Sequence, residues 1–174
     1  VYGRRRVGKT TLLREALDDG KGLYVHLPIT RQSEKTLCVE LQTEVERVLG
    51  LGILGQSSSF RDLFRILMEA SLKRSFTLVL DEFQEFDRVN PGVFGDVQGV
   101  WDGCQHTAKL NLLVCGSVNR LMNKIFFSYG EPLYGRNTGR LEIKPFPVRV
   151  LKEILSDFRT PIEVMRALMN VDEH

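Results

Sequence analysis

Eight consecutive residues near the start of the chain, Gly3-Arg4-Arg5-Arg6-Val7-Gly8-Lys9-Thr10, follow the spacing G-x-x-x-x-G-K-[ST]. Each fixed residue type has a physical task. The two glycines let the backbone curl until successive N–H groups converge on phosphate oxygens. At this spacing Lys9 reaches the β- and γ-phosphates of a nucleoside triphosphate, and the Thr10 hydroxyl is a ligand for Mg²⁺. Thr11 continues the stretch into an apolar helix through Leu17, whose N-terminus would aim the positive end of its dipole at the same phosphates. Gly3 to Thr11 is therefore the candidate cofactor-binding stretch. The side chains of Arg4, Arg5 and Arg6, which fill its variable positions, are expected on the surface.

A second stretch completes that chemistry. Leu78-Val79-Leu80-Asp81-Glu82 is an apolar run ending in two acids, the form of a Walker B strand. Asp81 at the strand end is the candidate partner of Thr10 in holding the metal. Glu82 follows at once and is the candidate general base for a water beside the γ-phosphate. Cys115-Gly116-Ser117-Val118-Asn119 closes the next apolar run. Ser117 is the first candidate there for a polar contact to the γ-phosphate or the attacking water, and Asn119 the second. Ser117 can equally cap the helix that follows. In Pro132-Leu133-Tyr134-Gly135-Arg136, Arg136 is the candidate for stabilising charge on the transferred phosphoryl group, in its own chain or in a neighbour, with Arg140 behind it. Phe83, Phe86 and Trp101 are expected to pack rather than to stack on bases.

These residues need rigid elements to position them. A strand ends at Val1-Tyr2. Gly22 to Leu27, closed by Pro28, Phe76 to Leu80, and Leu110 to Cys115 read as further strands, the last two as buried on both faces. Leu141 to Ile143 reads as a short fifth strand. Helices are predicted over Ser33–Leu49, Phe60–Lys73, Pro91–Gln105, Ser117–Phe127, Val148–Phe158 and Pro161–Met169. The apolar face of the Phe60–Lys73 helix is assigned to Leu63, Phe64, Leu67 and Leu72. Alternating strands and helices imply a parallel sheet covered by helices. Every motif above follows a strand, so all can meet at the sheet's carboxyl edge.

Composition narrows the function classes. The chain has 174 residues, 43% of them hydrophobic and 26% charged, enough for one α/β domain with its own core. A net charge of +2 gives no support for a nucleic-acid partner. No apolar run is long enough to cross a bilayer and no secretory signal is visible, so a membrane partner is not expected and a cytoplasmic location is. Cys38, Cys104 and Cys115 are odd in number and widely spaced, and His26, His106 and His174 are scattered, so neither a disulfide framework nor a zinc site is expected. A loop of the first kind usually follows a full strand, so chain upstream of Val1 and downstream of His174 is expected. No N-K-x-D follows a strand, which disfavours guanine.

The four motifs, in their order and with the Tyr-Gly-Arg turn, resemble the "archaeal ATPase" group, related to the AAA+ and STAND P-loop ATPases of archaea and bacteria. The resemblance spans roughly residues 1–158. It implies a P-loop three-layer α/β sandwich with parallel strand order 5-1-4-3-2, a core over 1–146 and the beginning of a helical lid over 147–174. It also implies ATP, ADP and Mg²⁺ as ligands, with a protein partner or a second copy of the chain left open. ATP hydrolysis is the leading expectation. A nucleotide-gated binding module with little turnover and a DNA-associated ATPase of a mobile-element or defence system are the alternatives.

Overall fold

The computed structural model of the chain describes residues 1–18, 22–117 and 119–155. Strands and helices alternate: β1 (Tyr2–Gly3), α1 (Lys9–Leu17), β2 (Tyr24–Pro28), α2 (Glu34–Leu49), α3 (Phe60–Lys73) and β3 (Phe76–Asp81) come first. A 3₁₀ turn (Phe83–Glu85), α4 (Phe86–Val89), α5 (Val93–Cys104), β4 (Leu110–Val114), α6 (Asn119–Phe127), β5 (Glu142–Ile143) and α7 (Val148–Leu155) complete the described order. The helix expected over Pro161–Met169 lies outside the described residues, as do the last three residues of the one expected to end at Phe158. No helix among the described residues is long and apolar enough to cross a membrane.

Every strand pair is parallel. β3 lies between β2 and β4, with Val25 opposite Leu78 and Leu78 opposite Leu112. β1 pairs with β5 through Tyr2–Glu142 and Gly3–Ile143. The pair β5-β1 and the three strands β4-β3-β2 meet at one bridge between Tyr2 and Gly116, flanked by hydrogen bonds from Val1 N to Val114 O (2.6 Å) and from Gly116 N to Val1 O (3.1 Å). Gly3 lacks a side chain for a reason that geometry makes plain: a Cβ there would collide with the Ile143 carbonyl of the neighbouring strand.

Period-2 alternation along β3 divides the molecule into layers. Leu78 and Leu80 enter the main apolar cluster with Leu37, Leu41 and Val45 of α2, Leu63, Phe64 and Leu67 of α3, and Val93, Phe94 and Val97 of α5. Val79 points the other way, to Leu13 of α1 and Cys115. Helices thus cover both faces, as the three-layer reading requires. β4 departs from the expectation of a strand buried on both faces: Asn111 is exposed and its other residues are half-buried.

The helix ends follow local chemistry. The Ser33 side chain accepts from Thr36 N and that of Ser59 from Asp62 N, both at 3.2 Å, so each caps its helix. One assignment on α3 fails. Leu72 is 42% exposed, and Met68 and Ser71 take the inward positions of the last turns beside Leu67. The 3.6-residue repeat places Leu72 more than 100° from Leu67 and Ser71 closer to the buried stripe. Leu67→Ala should therefore cost about 2–5 kcal/mol of unfolding free energy in urea, and Leu72→Ala less than about 1 kcal/mol.

Candidate functional site

The first loop closes β1 and opens α1. Gly8 sits at φ 81°, a left-handed conformation glycine adopts without strain, and its carbonyl accepts from Leu12 N at 2.9 Å. Arg6, at φ 63°, takes the same region without glycine's freedom. Lys9 is buried, and its ammonium donates back to the carbonyls of Gly3 (3.2 Å) and Arg4 (2.9 Å). These bonds draw the loop into a ring around the lysine. Arg4, Arg5 and Arg6 are exposed around its rim, Val7 is half-buried and Thr11 is exposed.

β3 delivers the acids. Asp81 is 7% exposed and its Oδ2 accepts from Thr10 Oγ1 at 2.9 Å. His26, on the neighbouring strand β2, brings Nε2 to 3.3 Å of the same oxygen, and Oδ1 accepts from Glu82 N at 2.9 Å. Burial pushes the Asp81 carboxyl up, but the contacts with His26 and Thr10 outweigh it, and its pKa lies below the ordinary value. The carboxylate is therefore ionised at neutral pH.

Glu82 turns the chain out of β3 in a left-handed conformation (φ 53°, ψ 37°). Among the described residues it and Arg6 are the two non-glycine positions with positive φ. Both lie in the motif loops, and such conformations persist where the surroundings over-determine them. Here the surroundings are visible. Phe83 N donates to Cys115 O at 2.9 Å, and Phe83 and Phe86 are fully buried, their rings 5.6 Å apart, with Phe86 4.6 Å from Phe60. The aromatic residues of this turn pack in the core, as expected. The Glu82 carboxylate accepts from Ser117 Oγ at 2.7 Å and from Gln84 Nε2, and Ser117 Oγ also lies 3.4 Å from Arg5 Nε.

The structure thus brings Gly3 to Thr10, Asp81, Glu82 and Ser117 into one cluster. Arg136 lies elsewhere in the chain. Its guanidinium grips Asp102 with two hydrogen bonds (2.8 and 2.6 Å) and donates to the carbonyls of Pro132 and Tyr134. Asp102 is in the last turn of α5, near the edge from which β4 starts, opposite the edge that carries the loops. Arg140 lies over the Phe127 ring, 5.5 Å from its centroid.

Three further site residues, His26, Arg31 and Glu85, carry no motif signal, while Gln84 closes the Leu80-Asp81-Glu82-Phe83-Gln84 stretch on which the family resemblance rests in part. His26 reads as an ordinary strand residue, although its alternation with the inward Val25 and Leu27 puts it on the face toward Asp81. Gln84 lies beside the acid pair. Glu85 is 6% exposed and takes a two-pronged hydrogen bond from Arg31 at 2.5 and 3.0 Å, with Arg5 3.9 Å away. Arg31 holds the Glu85 carboxyl below its ordinary pKa against the upward push of burial. The pair ties the loop after β2 to the loop after β3. Arg31→Ala leaves a buried carboxylate without its main partner and should lower the urea midpoint of unfolding at pH 7. A carboxyl whose folded pKa is lowered contributes stability fully present above its ordinary value, 4.5 here, and lost as pH falls through the folded value. The gap between wild type and Arg31→Ala should accordingly narrow as pH drops below about 4.5.

A curled loop on a buried lysine, a strand-end carboxylate against the loop's threonine, and a parallel sheet between helix layers define a P-loop nucleotide-binding domain of the ATPase type. The chain belongs to the AAA domain family, whose profile matches residues 1–151. It is similar to two uncharacterized proteins of Methanocaldococcus jannaschii. One is 29% identical over 153 residues, covering 88% of this chain and 32% of that protein. The other is 39% identical over 56 residues, covering 32% of this chain and 54% of that protein. Among solved structures, its fold is similar to that of a Walker-type ATPase of Pyrococcus abyssi, with a TM-score of 0.64 and 24% identity, over 97% of this chain and 56% of that one. Cdc6p from Pyrobaculum aerophilum superposes with a TM-score of 0.63 at 17% identity, over 90% of this chain and 43% of that one. The chain therefore spans from about a third to just over half the length of these relatives. The family resemblance drawn from the motifs holds.

Proposed function

We propose that this domain binds ATP with Mg²⁺ and hydrolyses it. The observation that carries the reading is the 2.9 Å approach of Thr10 Oγ1 to Asp81 Oδ2. A hydroxyl at the start of α1 and an ionised carboxylate at the end of β3, far apart in sequence, converge on one point beside the phosphate-binding loop. This hard-oxygen pair fits Mg²⁺, which takes few protein oxygens and fills its octahedron with phosphates and water. Thr10 and Asp81 would hold the ion, and the ion when bound would neutralise charge on the β- and γ-phosphate oxygens.

The chain's own groups account for the rest. The loop amides and Lys9 bind and orient the triphosphate, and the helix start behind them adds its partial positive charge. Glu82, half-buried and held at one carboxylate oxygen, accepts a proton from the attacking water. Ser117, buried between Arg5 and Glu82, orients that carboxylate. Arg136, occupied by Asp102, enters this reading only as a residue that serves a neighbouring copy.

The test is phosphate release from ATP by purified protein. Release with Mg²⁺ that stops on adding EDTA supports the reading. Absence of release, with ATP still bound, supports the binding-module alternative instead.

A further inference from the structure

Gln84 is the one side chain among the described residues with a buried polar atom lacking any hydrogen-bond partner, its Oε1. It is 2% exposed, in the middle of the 3₁₀ turn after the acid pair. Its amide nitrogen folds back two residues to donate to Glu82 Oε2, the oxygen that also takes the Ser117 hydroxyl. The amide cannot turn round, because its oxygen would then face the carboxylate. The result is a buried acceptor without a protein donor, set against Gly116, where a Cβ would collide with both Gln84 Oε1 and Met122 Sδ.

A buried acceptor without a donor weakens a fold, and an apolar side chain of the same length would not carry that cost. Stability therefore does not explain a glutamine here. Its amide nitrogen does, donating to Glu82 and lying within hydrogen-bonding reach of Glu85. Two donors converging on Oε2, one from this turn and one from the loop after β4, fix the carboxylate of a residue whose backbone is itself left-handed. Held at Oε2, the carboxylate keeps Oε1 for the water. Gly116 is the matching concession on β4's side, since it makes the room in which the amide lies.

We propose that Gln84 is a positioning residue for Glu82, acting through the hydrogen bond from its amide nitrogen so that the carboxylate is aimed before nucleotide arrives. This rests on the ATP-hydrolysis reading above. The decisive variants are Gln84→Met and Gln84→Leu, which keep bulk and remove the donor. Their melting temperatures without nucleotide should equal or exceed that of wild type. Affinity for a fluorescent ATP analogue and KM should stay within about twofold, while kcat falls at least tenfold. Wild-type kcat in either folded variant overturns the proposal and leaves the hydrolysis reading intact. So does a loss carried by KM alone, or failure of both variants to fold, either of which makes Gln84 a binding or structural residue. Wild-type protein that binds the analogue and releases no phosphate overturns both.

Discussion

Lys9→Ala abolishes the rise in melting temperature that ATP and Mg²⁺ give the wild-type protein. A ligand present at about 100 times its dissociation constant stabilises the folded state by about 2.7 kcal/mol, which for a domain of this size is about 5–10 °C. The lysine's ammonium is buried and held by the carbonyls of Gly3 and Arg4. Truncation removes the loop's central cation and also releases two carbonyls that it gathered. The variant should lose some intrinsic stability, so the informative quantity is the difference with and without nucleotide, measured by thermal unfolding. A shift that survives in Lys9→Ala would move the phosphates away from this loop.

Glu82→Gln should separate binding from chemistry. The amide is isosteric with the carboxylate but cannot take a proton from water, so phosphate release should fall by about 10²-fold or more. ATP-dependent thermal stabilisation should remain, because Lys9, Thr10 and Asp81 are untouched. Steady-state release and melting shift on the same preparation check the pair of outcomes. Near-zero release in wild type and variant alike, with both retaining the shift, identifies a nucleotide-gated binding module.

The motifs were legible because each is a local pattern with a fixed task. Spacing alone located Lys9, Thr10, Asp81 and Glu82, and the structure brings all four together. Ser33 and Ser59 announced their helices because a cap is an interaction over three residues. Most of what escaped notice depends on neighbours distant in sequence. His26 reaches Asp81 across a strand pair, and Arg31 finds Glu85 across two loops. The alternation of β2 shows which face His26 takes, but no spacing names its partner, and none names that of Arg31. The same holds for Arg136, whose partner Asp102 is 34 residues away. Its Tyr-Gly-Arg setting suggests a phosphate ligand, whereas within this chain the guanidinium is occupied. Leu72 was misassigned for a different reason. An amphipathic helix tolerates isolated leucines on its outer flank, and pattern alone does not separate those from the edge of the buried stripe.

The alternation along β3 places Leu80 in the apolar interior and Asp81 beside the loop threonine, one residue apart. The chemistry of the domain thus depends on whether a count is odd or even. One amino acid added or deleted between Phe76 and Leu80 would exchange the two faces, sending a carboxylate into a phenylalanine-lined interior and a leucine toward Thr10. Two added residues would restore the original facing. Length variation in this strand is therefore tolerable only in steps of two, however freely the loops on either side grow or shrink.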